Sequence, residues 1–229
     1  MTGSELLPPD FGGIVRLFPL PDLVMFPHVV QPLRVFEPRY VQMFEDALDD
    51  DQLLTMAILQ PGWERDYEGH PPLFPTLCVG RILSHSQQPD GSYHLLLAGA
   101  ARAQLMQELD CDTPYRQAEV ELLPDAEDGD TDELTALHAQ LLRAFRKLSP
   151  ESVGANHPLQ QMLEYQVGLG VLTDVIAFAA PLKRIDKQYL LGELDVKKRA
   201  LRVIHHLQEL RAATPHDGPA AFPPSFSDN

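Results

Sequence analysis

The sequence predicts an α+β protein: an N-terminal antiparallel β pseudo-barrel carrying one short helix, then a C-terminal helical bundle. Three observations carry that expectation. The run from Ile14 to Tyr40 is apolar and alternates in pieces such as Ile14, Arg16 and Phe18. It is broken by Pro19, Pro21, Pro27, Pro32 and Pro38, which cannot donate to a central ladder and so mark strand edges and bends. Strand-like segments continue as far as Leu123, and beyond the acidic stretch that follows them the apolar period becomes helical. At 229 residues the chain suits one large domain or two small ones, at roughly 150 residues each, and either can bury a core.

Residues 1–13, with Pro8, Pro9, Gly12 and Gly13 among polar neighbours, read as a flexible lead-in. After the opening strands, Glu37 and Pro38 mark a helix start, because proline at the first helical position lacks only a donor that would be unpaired anyway. Val41, Phe44 and Leu48 make the apolar stripe of that helix, and Asp49, Asp50 and Asp51 end it in solvent. These three carboxylates lack the further oxygen ligands of a cation loop. Leu53 to Leu59 reads as a buried strand. Gln60 to Pro75 is a long loop containing Trp63, the only tryptophan, which suits either a binding role or the cover of a core edge.

Leu77 to His85 and Tyr93 to Ala98 form a hairpin around Pro89, Asp90 and Gly91, where Asp then Gly supplies the positive-φ residues a hairpin requires. Gly99 permits a second sharp turn before a strand from Arg102 to Leu109, and Tyr115 to Leu123 alternates as a last strand. The pseudo-barrel subdomain accordingly spans 14–124. An acidic linker, 125–131, separates it from a helical subdomain, 132–213. Acids at 125, 127, 128, 130 and 132 invite a calcium reading, but Gly129 misses the sixth loop position, and Asp130 with Glu133 fits the start of a helix.

In the helical half, Leu134, Leu137, Leu141, Phe145 and Leu148 share one helix face. Met162, Tyr165, Gln166 and Leu169 suggest a second helix closed at Gly168–Gly170. Thr173 and Asp174 start a third that runs through Ala180, and helices over 186–194 and 195–213 complete a set of about five. Val196, Ala200, Ile204 and Leu207 line one side of the last helix. Residues 214–229, with Pro215, Pro219, Pro223 and Pro224, are expected to be a disordered tail in which Phe222 and Phe226 form a possible docking motif.

Composition and missing motifs narrow the function. Lys plus Arg number 18 against 33 acids, a net charge of −15, so a polyanion meets repulsion over most of the surface and nucleic acid is a poor partner. The cluster Lys197, Lys198, Arg199 and Arg202 is the one local exception, and a solvated helix face explains it. Cys78 and Cys111 stand alone, without a zinc or disulfide framework, which fits a reducing cytoplasmic setting. The first residues lack the basic flank and apolar core of a signal peptide, and no apolar run approaches the ~20 residues of a membrane span. There is no phosphate loop, dinucleotide fingerprint, His-Glu-x-x-His or nucleophile elbow. His205 and His206 diverge on a helix, and Ser84 with His85 or Lys147 with Ser149 carry no means of activation. Neither a catalytic group nor a cofactor or metal site is expected.

Against this background stand LFPLPDLVMFP, QPLRVFEPRY, VGRILSHSQQPDGSYHLLLAGAAR, LTDVIAFAAPL and LLGELDVKKRALRVIHHL. Together these segments resemble the N-terminal substrate-binding domain of the Lon protease family over roughly Ile14 to Leu210. Asp90, Gly91, Gly99 and Arg102 are among the matching positions. The resemblance implies a PUA-like pseudo-barrel followed by helices, and a noncatalytic module that binds unfolded or tagged protein segments as an adaptor or regulator of a protease. It implies a peptide groove around Phe26, Pro27, Pro32, Leu33 and Phe36, to which the loop residue Trp63 is added as a candidate. Because PUA-like folds also serve RNA, an RNA-binding module is the alternative.

Overall fold

The computed structural model describes residues 6–67, 69–127, 129–148, 167–213 and 227–228. Contacts divide the chain into a β unit, 1–124 with 226–229, and a helical unit, 125–225. Both α and β structure are present, in the predicted order. Among the described residues no helix is long and apolar enough to cross a membrane.

The β unit contains β1 (Ile14–Leu20), β2 (Val30–Val35), α1 (Pro38–Asp49), β3 (Leu53–Ile58), β4 (Thr76–Gln87), β5 (Tyr93–Leu109), β6 (Gln117–Leu123) and β7 (Ser227–Asp228). The strands follow the order β4-β3-β1-β6-β5-β2-β7, and an additional β4–β5 pairing closes the first five into a barrel. The long β5 makes this possible. Its second half lies between β4 and β6, while its first half lies between β4 and β2, so β2 extends the sheet beyond the closed ring. Most pairings are antiparallel; β1–β3 and β2–β7 are parallel. Alternation places Val15 and Leu17 of β1, Leu77 and Val79 of β4, Ala103 of β5 and Val120 of β6 in one core with Leu53 and Ala57 of β3.

Glu37 and Pro38 do open α1. Its buried face is Tyr40, Met43, Phe44 and Ala47, rotated from the expected Val41, Phe44 and Leu48. Two ring contacts set the rotation, Tyr40 with Phe18 at 4.8 Å and Phe44 with Tyr93 at 4.7 Å. Two of the acids after the helix do more than meet water, since Arg16 pairs with Asp50 at 2.6 Å and Asp51 at 2.8 Å. The lead-in is also docked where it is described: Leu6 is buried, and its carbonyl accepts a 3.1 Å bond from Arg81.

Gly99 makes no turn. β5 runs through it, and a Cβ at this position would collide with the Phe26 carbonyl, so the glycine serves close backbone approach. The turn falls at Asp90–Gly91 as expected, but only Gly91 takes a positive φ, +84°; Asp90 instead accepts bonds from the Ser92 N–H at 3.0 Å and hydroxyl at 2.6 Å.

In the helical unit lie α2 (Thr131–Leu148), α3 (Leu169–Ala179), α4 (Arg184–Gly192) and α5 (Val196–Ala213). Leu137, Leu141 and Phe145 of α2 and Val196, Ala200, Ile204 and Leu207 of α5 are buried, as their spacing requires. The helix expected around Met162, Tyr165 and Gln166 falls outside the described residues. Gly168–Gly170, expected to stop it, instead begins α3, with Thr173 and Asp174 buried in mid-helix. Thr173 satisfies its hydroxyl by donating to the Leu169 carbonyl at 2.6 Å.

The acidic linker is in part integral to this unit. The Ala126 N–H donates to the Leu194 carbonyl and the Val196 N–H to the Ala126 carbonyl, while Asp125 reaches the fully buried Arg199 through bonds of 3.0 and 2.5 Å. Of the expected tail, residues 214–226, including Phe222 and Phe226, fall outside the described residues, while Ser227 and Asp228 form β7.

Candidate peptide-binding surface

β2, the first half of β5 and the second half of β4 make a three-stranded extension of the barrel. Register puts Val30 opposite Ala98, Pro32 opposite Leu96 and Arg34 opposite His94, and residues directly opposite share a face. On the outer face Val30, Leu96 and Phe36 are 50%, 39% and 46% exposed, with Leu83, at a register shift in β4, 48% exposed. Leu6 covers one end of this face, packing on Ala98 and Ala100. Among the described residues nothing covers the remainder, where apolar Val30, Pro32, Leu96 and Phe36 flank the polar pair Arg34 and His94.

The expected groove residues divide into two sets. Phe26, Pro27 and Leu33 are buried, so they support the surface rather than line it. Their burial follows from the closeness of Phe26 to Gly99 and from the inward phase of Leu33 on β2. Pro32 and Phe36 lie on the outer face, and the Arg34 guanidinium sits 5.6 Å from the Phe36 ring centroid. Trp63 is elsewhere, in a short 3₁₀ turn (Trp63–Arg65), where it is half-buried against the barrel core and meets Tyr67 edge-on at 5.5 Å. Asp90 ties the hairpin to β2 through a 2.9 Å pair with Arg34, and Arg102 is buried in β5.

Val30, Leu83 and Leu96 escaped the sequence reading. A signal was present in β2, where polarity and burial are inverted: Val30 faces out, while Gln31 is 5% exposed and bonds the Pro32 carbonyl at 2.9 Å. Such a local contradiction of the apolar-inside pattern sets this strand apart from the rest of the barrel.

A separate cavity of about 210 Å³ is lined by Pro19, Arg39, Tyr40, Glu108, Cys111 and Arg116, among others. Two of its arginines are paired with carboxylates. Arg116 grips Glu108 through two bonds of 2.7 and 2.5 Å, and Arg39 pairs with Glu37 at 3.0 Å while stacking on Tyr40 and Tyr67. Burial raises the Tyr40 hydroxyl pKa, and burial with the Asp46 acceptor pushes Tyr115 up to about 12. Both hydroxyls therefore stay protonated at neutral pH, and neither is a ready nucleophile.

The basic cluster on α5 is neutralised one residue at a time. Lys197 pairs with Glu133, Lys198 with Asp195, Arg199 with Asp125 and Asp174, and Arg202 with Glu193. That arrangement gives no support to the RNA-binding alternative.

A family model described as the ATP-dependent protease La (LON) substrate-binding domain matches residues 14–209. Among curated proteins, a Lon protease of Azorhizobium caulinodans is 29% identical over 89% of this chain, and Lon protease 2 of Myxococcus xanthus is 28% identical over 88%. The chain covers 24% of the length of each, about a quarter of the proteins it matches. Solved structures agree in fold. A Lon N-terminal domain protein from Xanthomonas campestris has a TM-score of 0.59 at 23% identity, covering 88% of this chain and 99% of its own. The N-terminal domain of a Mycobacterium avium complex Lon protease has a TM-score of 0.64 at 18% identity, covering 87% and 98%. On the family match over most of its length, this chain belongs to the Lon substrate-binding domain family.

Proposed function

We propose that the chain is a noncatalytic module that holds extended apolar segments of unfolded or tagged proteins and serves proteolysis as an adaptor or regulator. The observation that carries this reading is the exposed apolar surface of Val30, Leu96 and Phe36, with half-buried Pro32 among them, on a barrel of the substrate-binding family. An apolar strip on a sheet suits side chains that a folded protein would hide and an unfolded one displays.

Reduced, carbamidomethylated lysozyme stays unfolded in buffer and carries nearly the charge of native lysozyme, so the two form a matched pair of probes. At physiological salt the full chain is expected to bind the unfolded form with micromolar affinity and to leave the native form unbound, measured by fluorescence anisotropy. Equal binding of both forms, or binding of neither, sinks the reading.

A further inference from the structure

The three-stranded extension has two edges of opposite character. Along β4, residues Leu83 to Gln87 are exposed and all but Leu83 are polar, and the ladder is interrupted between Ile82 and Ser84. Irregular register and polar side chains discourage an added strand. β2 is different. It runs against β5 without a register shift, is flanked by exposed Val30 and Phe36, and already carries a strand on its far side. That strand is β7, parallel to β2, with Leu33 opposite Ser227 and Arg34 opposite Asp228.

Backbone phase shows what β2 offers. The Gly99 N–H donates to the Val29 carbonyl at 2.8 Å, which aligns the odd-numbered residues 29 to 35 with β5 and turns the peptide groups of Val30, Pro32 and Arg34 to the other side. Pro32 therefore breaks no bond to β5, since its missing donor falls on the outward row. Outward carbonyls and N–H groups at 30 and 34 make a ladder half, with the Pro32 carbonyl between them already accepting the Gln31 amide, and the two residues of β7 engage only part of it. Among the described residues nothing else pairs with this side of β2.

We propose that β2 is a strand-accepting edge: it takes an extended apolar segment of an unfolded protein as a parallel strand, and Ser227–Asp228 occupy the same position as a competitor within the chain. The inference rests on the substrate-binding reading above and names its site. A longer segment displaces β7 because it engages the whole outward row and sets alternate side chains beside Pro32 and Phe36. The net charge of −15 selects segments poor in acids.

The test compares binding of carbamidomethylated lysozyme to the full chain, to a chain truncated after Ser225, and to the truncated chain carrying Phe36→Asp or Arg34→Pro. Truncation tightens binding several-fold. Arg34→Pro, which deletes an outward donor, and Phe36→Asp, which charges an exposed flank, each weaken it several-fold. Truncation and the exchange of the two amides remain decisive if the proline variant fails to fold, since Phe36 also belongs to the apolar surface on which the substrate-binding reading rests. On addition of the probe, hydrogen exchange slows at the outward amides of Val30 and Arg34. If the full chain binds the probe but truncation, Phe36→Asp and the two amides register no change, the strand edge is overturned and the substrate-binding reading stands. Absence of binding to every form overturns both.

Discussion

One ion pair from each unit shows opposite settings. In the β unit Arg34 meets Asp90 at the rim, with side chains 37% and 56% exposed, whereas in the helical unit Arg199 and its partner Asp174 are both wholly buried at 3.1 Å. Arg199 also holds Asp125 and donates to the Glu193 carbonyl at 2.6 Å, so one side chain joins α3, α5 and the segment entering the unit. The lesson concerns what each unit depends on. Rim pairs add little to a barrel held by apolar burial, while a buried ion cluster stabilises only when every member is present. The β unit can therefore vary its surface charge, and the helical unit cannot vary its centre.

Arg199→Leu tests this most severely. It removes the cation that pairs with the Asp174 carboxylate in the interior and is expected to cost about 3–5 kcal/mol, read as a lower urea midpoint with loss of exchange protection in α3 and α5. Arg34→Leu should cost under about 1 kcal/mol by the same measurement, and equal losses from the two would break the comparison. A steric lesion comes next in size. Gly99→Ala drives a methyl group into the Phe26 carbonyl, with an expected loss of about 1–3 kcal/mol; an unshifted thermal midpoint would show that β5 yields at this point.

The smallest effect separates the units by pH. Lys187 donates to the Phe178 carbonyl at 2.5 Å, and burial lowers its pKa from 10.5 to about 8. Between about pH 8 and 10.5 the unfolded chain thus binds the extra proton, so this group's contribution to stability rises with pH. Tyr115 has the opposite sign. Raised from 10.0 to about 12, it keeps its proton in the folded state, and its contribution falls as pH climbs through that interval. Denaturation midpoints across pH 8 to 10.5 should rise less in Lys187→Met than in the unsubstituted chain, and parallel profiles would remove lysine as the cause.

Much of the fold was legible because its signals are local. Asp90–Gly91 needs one positive φ, Glu37–Pro38 needs a tolerated missing donor, and the faces of α2 and α5 follow from spacing alone. The site was less legible. Gly99 looks the same in a sequence whether it bends the chain or admits a neighbouring carbonyl, and only the position of Phe26 decides between them. Asp125 belonged to a run of acids that read as solvated, because its partner Arg199 lies 74 residues away. Phe26 and Leu33 shared the apolar character of Phe36, yet strand phase and Gly99 packing buried the first two and left the third exposed.

By itself the sequence determined the division into β and helical halves, the hairpin, the main helical faces and the family, all of which follow from short-range geometry or residue order. Tertiary structure decided the rest: which prolines and phenylalanines of the opening stretch face water, which acids are paired, and which edge of the sheet carries an added strand. These are properties of residues far apart in the chain. The phase of β2 comes from β5, the Arg199 cluster from the meeting of three segments, and the strand on β2 from residues at the opposite end of the chain.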